Sequence, residues 1–381
     1  MTPAFHRLSL DDAAAWVDRA VSELEAVSVS LPAACDRVLA EEIRAVQPIP
    51  AFDSAAVDGY AVAASVTVGA SSYNPVLLPL RAISAGEAIP PDTDAVIPLG
   101  LGEPQPPNGV ECVEAVAPGE NVEAQGSVAP AGALLAPGGA LLSPALIGML
   151  IRAGLSDVNV VRRPRVRIVA TPKGAEVDSN GPMLRALLER DGGDVSGITA
   201  AERTAQGIRS TLEADGADII LVIGGTGPGT DDHAAAALAA AGELAIHGVA
   251  LQPGETVGLG HTRSGVPVAL LPGSPAACFF GYEMLAGRAV RRLGGRNPNP
   301  PYRSRLMRTA RKLISAIGMT EIVPVRCSAR EIVEPLPSFS EIGLMAAVAA
   351  DGFVIVPEAS EGHPEGARVT VYLYEGRWTD E

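Results

Sequence analysis

A glycine-rich turn lies in the second half of this 381-residue chain, directly after an apolar segment. Residues 218–223, DIILVI, are typical of a buried strand, and a helix is predicted to begin near Asp232. The turn between them contains Gly224, Gly225, Thr226, Gly227 and Gly229. Glycines let the backbone approach a ligand closely and adopt positive φ. Because the next helix presents free N–H groups to an anion, the pattern predicts a binding site for a phosphorylated small molecule.

Hydroxyl and carboxylate groups accompany this turn. Thr226 and Thr230 can donate hydrogen bonds, whereas Asp231 and Asp232 cannot bind phosphate directly unless a cation intervenes. Their presence therefore predicts magnesium or a polarised water beside the turn. The purely structural alternative is a tight strand–helix turn with Asp231 as the helix N-cap, although the segment is richer in glycine than such a turn requires.

A second group of polar residues follows the apolar segment RVRIVA, which predicts another buried strand. The residues of this group that could contact a ligand are Thr171, Lys173, Glu176, Asp178 and Asn180. Lys173 could bind a phosphate or an oxyanion, and Glu176 or Asp178 could hold a metal ion. The alternative is a surface turn in which Asn180 caps the following helix.

Two further segments could contribute to the same crevice. The turn after VPVALL contains Pro272, Gly273, Ser274 and Pro275, and its two prolines make it rigid enough to fix Ser274 and backbone groups. A proline at the first position of a helix explains Pro275 equally well. Asp58 lies among small residues in SAAVDGY. Such a segment suits a reacting group brought to another domain's crevice, and a plain loop aspartate is an equal explanation.

Strands and helices alternate around these segments. Strands are predicted over 165–170, 218–223 and 266–271, and helices over 182–191, 200–214, 232–241 and 276–293. Such alternation predicts an α/β domain with a parallel, doubly wound sheet, in which the loops gather at the carboxyl ends of the strands. The three strand ends would then flank one crevice.

The rest of the chain predicts β-rich and helical parts. Apolar spacing predicts helices over 9–27, with Ser9 as N-cap, over 35–46 and over 143–155. Short apolar runs predict strands within 55–140, and 307–326 and 353–374 predict antiparallel strands around a helix at 340–349. We therefore predict a helical linker domain I (1–28 and 141–163), a β-rich domain II (29–140), an α/β domain III (164–299) and a C-terminal β-rich domain IV (300–381).

The amino-acid composition excludes some classes of binding partner. The 44 acidic and 29 basic residues give a formal charge of −15, and aromatics are only 4% of the chain. Such a surface repels nucleic acid and anionic membranes. Four dispersed cysteines and five histidines without zinc-ligand spacing favour reduced thiols rather than a disulfide framework or a zinc site. With neither a signal-peptide pattern nor an apolar run of spanning length, we expect a cytoplasmic protein.

Taken in order, segments spread over nearly the whole chain resemble the molybdopterin molybdenumtransferase family, which includes MoeA and the gephyrin E domain. FDSAAVDGYAV is similar to the family's FDNSAMDGYAV, and GGTGPGTDD falls where the family has GGVSVGxxD. QPGETVGLG and VPVALLPGSPAA are similar to KPGKPxxFG and LPGNPVS. Further family regions are matched, in the same order, by AISAGEAIPPDTDAVIPL, PGENVEAQGSVAPAGALLAPG and SEIGLMAAVAADGFVIVPE.

The resemblance implies an elongated α/β multidomain protein that forms homodimers. It implies transfer of molybdate to adenylylated molybdopterin with release of AMP and with magnesium. The implied catalytic residues are Asp58, arriving from the partner subunit, with Asp232 and Glu176. The implied metal-binding residues are Asp232, Asp231 and Asp94. The implied molybdopterin-binding residues are Gly224, Gly225, Thr226, Gly227, Gly229, Thr171, Lys173, Asn180, Pro272, Gly273, Ser274 and Pro275.

Several basic positions of the family's site are replaced in this chain. The lysines of KPGKP are Gln252 and Glu255, and the arginine of the family's NVR segment is Glu123. Removal of a charged hydrogen bond to the ligand costs about 1–3 kcal/mol of binding free energy, which Lys173 compensates in part. The carboxylates are retained better than the basic groups, since Asp58, Asp94 and Asp232 match the family's pattern.

Two other hypotheses follow from these departures. The replaced lysines favour a non-catalytic molybdopterin-binding carrier or insertion partner, working with a molybdopterin adenylyltransferase or a client molybdoenzyme. The GGTG tetrapeptide is closer to the related molybdopterin adenylyltransferases, and it alone supports adenylyl transfer.

Overall fold

The computed structural model describes residues 7–107, 109–173, 178–328 and 331–376. The chain forms two compact units. The first takes the residues up to Val27 and those from Val161 onward, and the second takes Ser28–Val160. The finer division into four domains stays a prediction.

A six-stranded sheet is the centre of the first unit. Its strands are β1 (Arg165–Ala170), β2 (Asp194–Ala200), β3 (Ile219–Ile223), β4 (Gly242–His247), β5 (Gly258–Thr262) and β6 (Pro267–Leu271). They are arranged in the order β2-β1-β3-β6-β5-β4. The first four are parallel, whereas β5 and β4 are antiparallel to their neighbours. The sheet is therefore mixed, and the expectation of an all-parallel sheet was wrong at this edge.

Helices cover both faces of the central sheet, as a doubly wound fold requires. On one face the buried side chains of β1, β3 and β6 pack against the helices Leu10–Ala20, Asn180–Arg190 and Pro275–Gly281, the last continued through a π-helical turn (Tyr282–Ala286) into Gly287–Leu293. On the other face they pack against Ala205–Leu212 and Ala234–Ala241. Because both faces are covered, all five residues of β3 are buried, which explains its unbroken apolar sequence.

Two predicted helices near the sheet have different bounds in the structure. The helix predicted over 200–214 is shorter, because Asp194–Ala200 forms the edge strand β2 and the helix begins only at Ala205. The helix predicted over 9–27 ends at Ala20, where Val21 adopts an extended conformation. Its start was predicted correctly, since the Ser9 side chain accepts a hydrogen bond from the N–H of Asp12.

A second six-stranded sheet lies in the C-terminal part of the first unit. Its strands are Leu251–Gln252, Thr320–Ser328, Ile332–Pro335, Arg303–Thr309, Arg368–Leu373 and Gly352–Val356, in that order across the sheet. The pair Leu313–Ile314 and Gly362–His363 and the short helices Phe339–Ile342 and Met345–Ala349 complete this part. The prediction of a β-rich C-terminal segment is confirmed.

The second unit is built mainly from short strands, as predicted. These are Ile43–Arg44, Ser54–Ala55, Gly59–Val62, Val76–Pro79, Ala82–Ile83, Ala95–Pro98, Gly102–Gln105, Gly109–Cys112, Val122–Glu123 and Leu134–Ala136. The strands Ala26–Ser30 and Asp157–Val161 extend across its boundaries, and Pro144–Arg152 is its α-helix among the described residues. The helix predicted over 35–46 was wrong, because that segment begins with a turn and continues through single β-bridges at Val38 and Leu39 to the strand Ile43–Arg44. None of the described helices has the length and apolar character that a bilayer crossing needs.

Candidate ligand pocket

A cavity of about 490 Å³ lies where β1, β3 and β6 end. Its walls come from the loops that follow these three parallel strands, and from the loop after β2. The lining residues are Ala170, Thr171, Pro172, Lys173, Asp178, Ser179, Asn180, Arg203, Ile223, Gly224, Gly225, Thr226, Gly227, Asp232, Thr256, Pro272, Gly273, Ser274 and Pro275. Its volume falls within the range of about 300–1,000 Å³ that is usual for small-molecule sites.

The glycine turn closes the pocket at the end of β3. Gly224 and Gly225 both have positive φ, +83° and +66°, which glycine adopts without steric cost. The N–H of Gly224 donates to the carbonyl oxygen of Leu271, so the turn is bonded directly to the end of β6. A Cβ at Gly224 would lie 2.9 Å from the Thr171 hydroxyl oxygen. Any larger residue would therefore displace the neighbouring wall.

Two threonine hydroxyls of the pocket are engaged by the protein itself. Thr171 is 4% exposed and donates from its hydroxyl to the carbonyl oxygen of Ile223, at 2.8 Å. Thr226 is 2% exposed, and its hydroxyl lies 2.9 Å from that of Thr256. The carbonyl oxygen of Thr226 also lies 2.9 Å from Nε2 of His247. These bonds fix the walls of the pocket.

Asn180 lines the pocket and carries a buried acceptor. Its Nδ2 donates to the carbonyl oxygen of Gly273 at 2.8 Å, whereas its Oδ1 is buried and has no partner among the described residues. The residue is 7% exposed. The expected alternative, in which Asn180 caps the following helix, was wrong: Oδ1 of Asp178 accepts from the N–H groups of Asn180 and Gly181 instead. Asn180 is thereby free to span two strand ends.

Asp232 and Arg203, which both line the pocket, form an ion pair. Nη2 of Arg203 lies 2.9 Å from Oδ1 of Asp232, and Nη1 donates to the carbonyl oxygen of Thr171, also at 2.9 Å. The second carboxylate oxygen of Asp232 accepts from the N–H of Gly229 at 3.2 Å. A Cβ at Gly227 would lie 2.6 Å from this oxygen, so glycine there leaves room for the carboxylate.

The third wall is the turn between β6 and the next helix, which begins at Pro275. The carbonyl oxygen of Ser274 accepts from the N–H of Cys278 in the first turn of this helix. Burial, with the nearby charge of Asp178, raises the pKa of the Cys278 thiol to about 12. The thiol therefore stays protonated near neutral pH and does not serve as a nucleophile.

The structure brings most of the predicted site residues together. Twelve of them line the pocket: Thr171, Lys173, Asn180, Gly224, Gly225, Thr226, Gly227, Asp232, Pro272, Gly273, Ser274 and Pro275. Gly229 does not line the pocket, but its N–H donates to Asp232, which does. Asp231 is exposed and does not line it, and Glu176 lies outside the described residues.

Asp58 and Asp94 belong to the second unit. Asp58 is exposed, and one of its carboxylate oxygens accepts from the N–H of Ala85 at 2.8 Å. Oδ1 of Asp94 accepts from the N–H of Ala64 at 2.6 Å. Each aspartate therefore joins two distant segments of that unit, and the catalytic and metal-binding roles predicted for them stay predictions.

Sequence reasoning missed Arg203 and Thr256. Arg203 follows β2 by three residues, but the segment Asp194–Ala200 was not identified as a strand. Had it been, Arg203 would have stood at the carboxyl end of a fourth parallel strand, on the same edge as the other loops. Thr256 directly follows Glu255, which stands where the resembling family has a lysine.

Three family models match successive parts of the chain. The MoeA N-terminal region (domain I and II) matches residues 8–154, a probable molybdopterin binding domain matches residues 159–292, and the MoeA C-terminal region (domain IV) matches residues 307–374. The fold and the pocket thus define a multidomain protein with a molybdopterin-binding type of α/β domain. The chain belongs to the MoeA family.

Individual relatives agree with this assignment. The molybdopterin molybdenumtransferase of Staphylococcus aureus is 28% identical over 401 residues, covering 94% of both chains. Molybdopterin molybdenumtransferase 2 of Mycobacterium tuberculosis is 29% identical over 324 residues, covering 74% of this chain and 78% of the relative. The crystal structure of the molybdopterin biosynthesis MoeA protein of Pyrococcus horikoshii covers 97% of this chain and 100% of its own, with a TM-score of 0.74 and 27% identity.

Proposed function

We propose that this protein acts in molybdenum cofactor biosynthesis, inserting molybdate into adenylylated molybdopterin with release of AMP. The buried Oδ1 of Asn180 is the observation that carries the proposal. A buried acceptor without a partner costs about 1–3 kcal/mol, and a ligand that donates a hydrogen bond to it removes this cost. The pterin ring system carries amino and ring N–H donors, which suit this position. The relatives named molybdopterin molybdenumtransferase support the same function.

The glycine turn suits the phosphate end of such a ligand. Gly224, Gly225 and Gly227 carry no side chains that would separate the ligand from the backbone. Lys173 and Arg203 supply positive charge in a protein whose net charge of −15 repels anions at long range. Asp232, with Glu176 as a further predicted carboxylate, would orient the water or the oxyanion that takes part in AMP release.

Magnesium fits this pocket as a cation that enters with the substrate. Within the described ranges no three His, Cys, Asp or Glu side chains form a group that could hold a metal ion. Magnesium, however, commonly binds through one or two carboxylates together with substrate phosphates. Asp178 and Asp232 line the pocket and would supply those carboxylates, while the phosphates complete the set. The ion would neutralise charge on the phosphates.

A homodimer would complete the catalytic residues. Asp58 lies exposed on the second unit, in a loop of small residues that could approach the pocket of a partner subunit. We extend the proposal to a cytoplasmic homodimer in which Asp58 of one subunit serves the pocket of the other. Asp231 and Asp94 remain candidates for the metal. Asp231 does not line the pocket of its own unit, and Asp94 belongs to the second unit.

Complementation tests the proposed role. A strain that lacks its molybdenumtransferase should regain molybdoenzyme activity when this chain is expressed, and the Asp232→Ala variant should fail to restore it. The Asp231→Ala variant is the matched control, because Asp231 is adjacent but does not line the pocket. Failure of the wild-type chain at normal expression would contradict a general transferase role.

A non-catalytic molybdopterin-binding protein is the second candidate. The ion pair between Arg203 and Asp232 favours it, because both carboxylate oxygens of Asp232 already accept hydrogen bonds from Arg203 and from the N–H of Gly229. Such a protein would pass molybdopterin between an adenylyltransferase and a client molybdoenzyme. Tight binding of adenylylated molybdopterin without AMP release would identify it.

A further inference from the structure

Four charged residues line the pocket among the described residues. Lys173 and Arg203 are positive and Asp178 and Asp232 are negative, so their formal charges cancel. Lys173 is exposed, whereas the Arg203 side chain is only 23% exposed. Arg203 is therefore the less solvated of the two cations, and its charge attracts an anion more strongly at a given distance because the surrounding is less polar.

Arg203 is already engaged by a carboxylate that an anionic ligand would have to displace. Its Nη2 donates to Oδ1 of Asp232 at 2.9 Å, and Asp232 stands 21% exposed on the same wall. A tetrahedral oxyanion in the pocket would be repelled by the two carboxylates. A contact with the guanidinium of Arg203 would offset this repulsion. Because a guanidinium fork fits the oxygens of phosphate and related oxyanions, the two anions compete for one donor.

The guanidinium of Arg203 has one donor that the described part of the protein does not use. Nε of Arg203 is buried and has no acceptor among the described residues. Gly224 lies beside the fork: a Cβ at that position would be in van der Waals contact with Nη1, at 3.7 Å, so glycine leaves no side chain there. Nη1 remains tied to the carbonyl oxygen of Thr171, which keeps the arginine at the wall when its other partner changes.

We propose that Arg203 is the oxyanion-binding residue of the pocket, and that an oxyanion replaces Asp232 as the partner of its guanidinium. The inference rests on the proposed function in taking this pocket as the substrate site. The ligand chemistry is a tetrahedral oxyanion, either molybdate or a phosphate monoester. Binding of the oxyanion then releases the carboxylate of Asp232, so that Asp232 becomes available only when substrate is present.

Calorimetric titration of the full-length protein tests this exchange. Sodium molybdate and AMP are titrated separately, and the Arg203→Gln variant should lose about tenfold or more in affinity for at least one of them. The anion whose affinity depends on Arg203 identifies the source of the oxyanion. The Asp232→Asn variant should bind that same anion more tightly than the wild type, because its amide competes less well for the guanidinium.

The Asp178→Asn variant is the charge-matched control for Asp232→Asn. It removes one negative charge from the same pocket, retains Oδ1 as the acceptor that caps the next helix, and has no bond to Arg203. Its gain in affinity should be clearly smaller than that of Asp232→Asn. A gain in affinity cannot arise from misfolding, so the comparison holds even if Arg203→Gln folds poorly.

Three results would overturn the inference: no binding of either anion by the wild type, equal affinities for wild type and Arg203→Gln, or equal gains for the two asparagine variants. AMP release from adenylylated molybdopterin separates this failure from failure of the proposed function. If the affinity for an anion depends on Arg203 but the wild type releases no AMP, the inference about Arg203 stands and the transferase function is wrong. If the wild type releases AMP but its affinity for both anions is unaffected by Arg203→Gln, the transferase function stands and the inference about Arg203 is wrong.

Discussion

Asn180 Nδ2 donates a 2.8 Å hydrogen bond to the carbonyl oxygen of Gly273, so one side chain joins the loops that follow β1 and β6. The same amide leaves its Oδ1 buried at the wall of the pocket without a partner among the described residues. Asn180 thus both holds the pocket together and offers it an acceptor. Structure and ligand binding are coupled at this position.

The Asn180→Ala variant separates these two roles. Loss of the bond to Gly273 should lower the free energy of unfolding by at most about 1 kcal/mol, because the carbonyl oxygen loses its donor while removal of the unpartnered Oδ1 offsets part of the loss. Affinity for molybdopterin should fall by about tenfold, since the buried acceptor is gone. Urea unfolding and a binding titration measure the two effects. Asn159→Ala, which breaks a bond to Glu41 away from the pocket walls, should leave the affinity unchanged.

Gly224→Ala should disrupt the glycine turn. The substitution places a Cβ at φ +83° and only 2.9 Å from the Thr171 hydroxyl oxygen. We expect a loss of about 1–3 kcal/mol in stability from the backbone strain, with a further loss from the clash and with weakened ligand binding. Thermal unfolding measures this. Gly216→Ala is the control, because Gly216 also has positive φ (+95°) but nothing lies within 4 Å of its Cβ position. Equal losses in the two variants would show that the clash is absent.

A buried ion pair supports the helix that follows the pocket. Nη1 of Arg291 lies 2.6 Å from Oδ2 of Asp191, with side chains 2% and 1% exposed, and the hydroxyl of Tyr282 donates to the same oxygen. Arg291→Met should cost about 3 kcal/mol, the low end of the range for breaking a buried pair, because Arg190 also pairs with Asp191 and remains to neutralise it. Chemical unfolding measures the loss. Arg44→Met breaks an exposed pair with Glu42 and should change the unfolding midpoint little.

The carboxylate of Asp218 should stabilise the folded protein at neutral pH and lose this effect in acid. Burial opposes ionisation of this carboxyl, but hydrogen bonds from Arg162 and Arg165 outweigh it and hold the pKa of Asp218 well below its ordinary value. A lowered folded-state pKa stabilises the protein above the unfolded pKa of about 4, and this stabilisation is lost as the pH falls towards the folded pKa. The free energy of unfolding of the wild type should therefore fall below about pH 4 more steeply than that of Asp218→Asn. Parallel pH curves would contradict the assignment.

The sequence predicted the centre of the α/β domain well, because burial leaves a strong signal there. The strands Arg165–Ala170 and Ile219–Ile223 are covered on both faces, and their sequences are therefore mostly or wholly apolar. Strand β2 lies at the edge and is largely exposed, so its sequence, DVSGITA, has no such run. Missing this strand also hid the position of Arg203.

The partners of polar groups could not be predicted from the sequence. The spacing placed Asp232 and Asn180 near a crevice, but the bond from Arg203 and the bond to Gly273 join residues 29 and 93 positions apart. Such bonds depend on how the strand ends are arranged in the sheet, and the order β2-β1-β3-β6 is a tertiary property. The residue types indicated the chemistry, and the topology decided which residues meet.

The release of AMP from adenylylated molybdopterin, measured with molybdate and magnesium, tests the central claim most directly. The wild-type protein should release AMP only when molybdate is present, and Asp232→Ala should release none. Asp231→Ala should retain most of the activity, because Asp231 does not line the pocket. A wild type that binds the substrate but releases no AMP, under conditions in which an authentic molybdenumtransferase does, would contradict the transferase function.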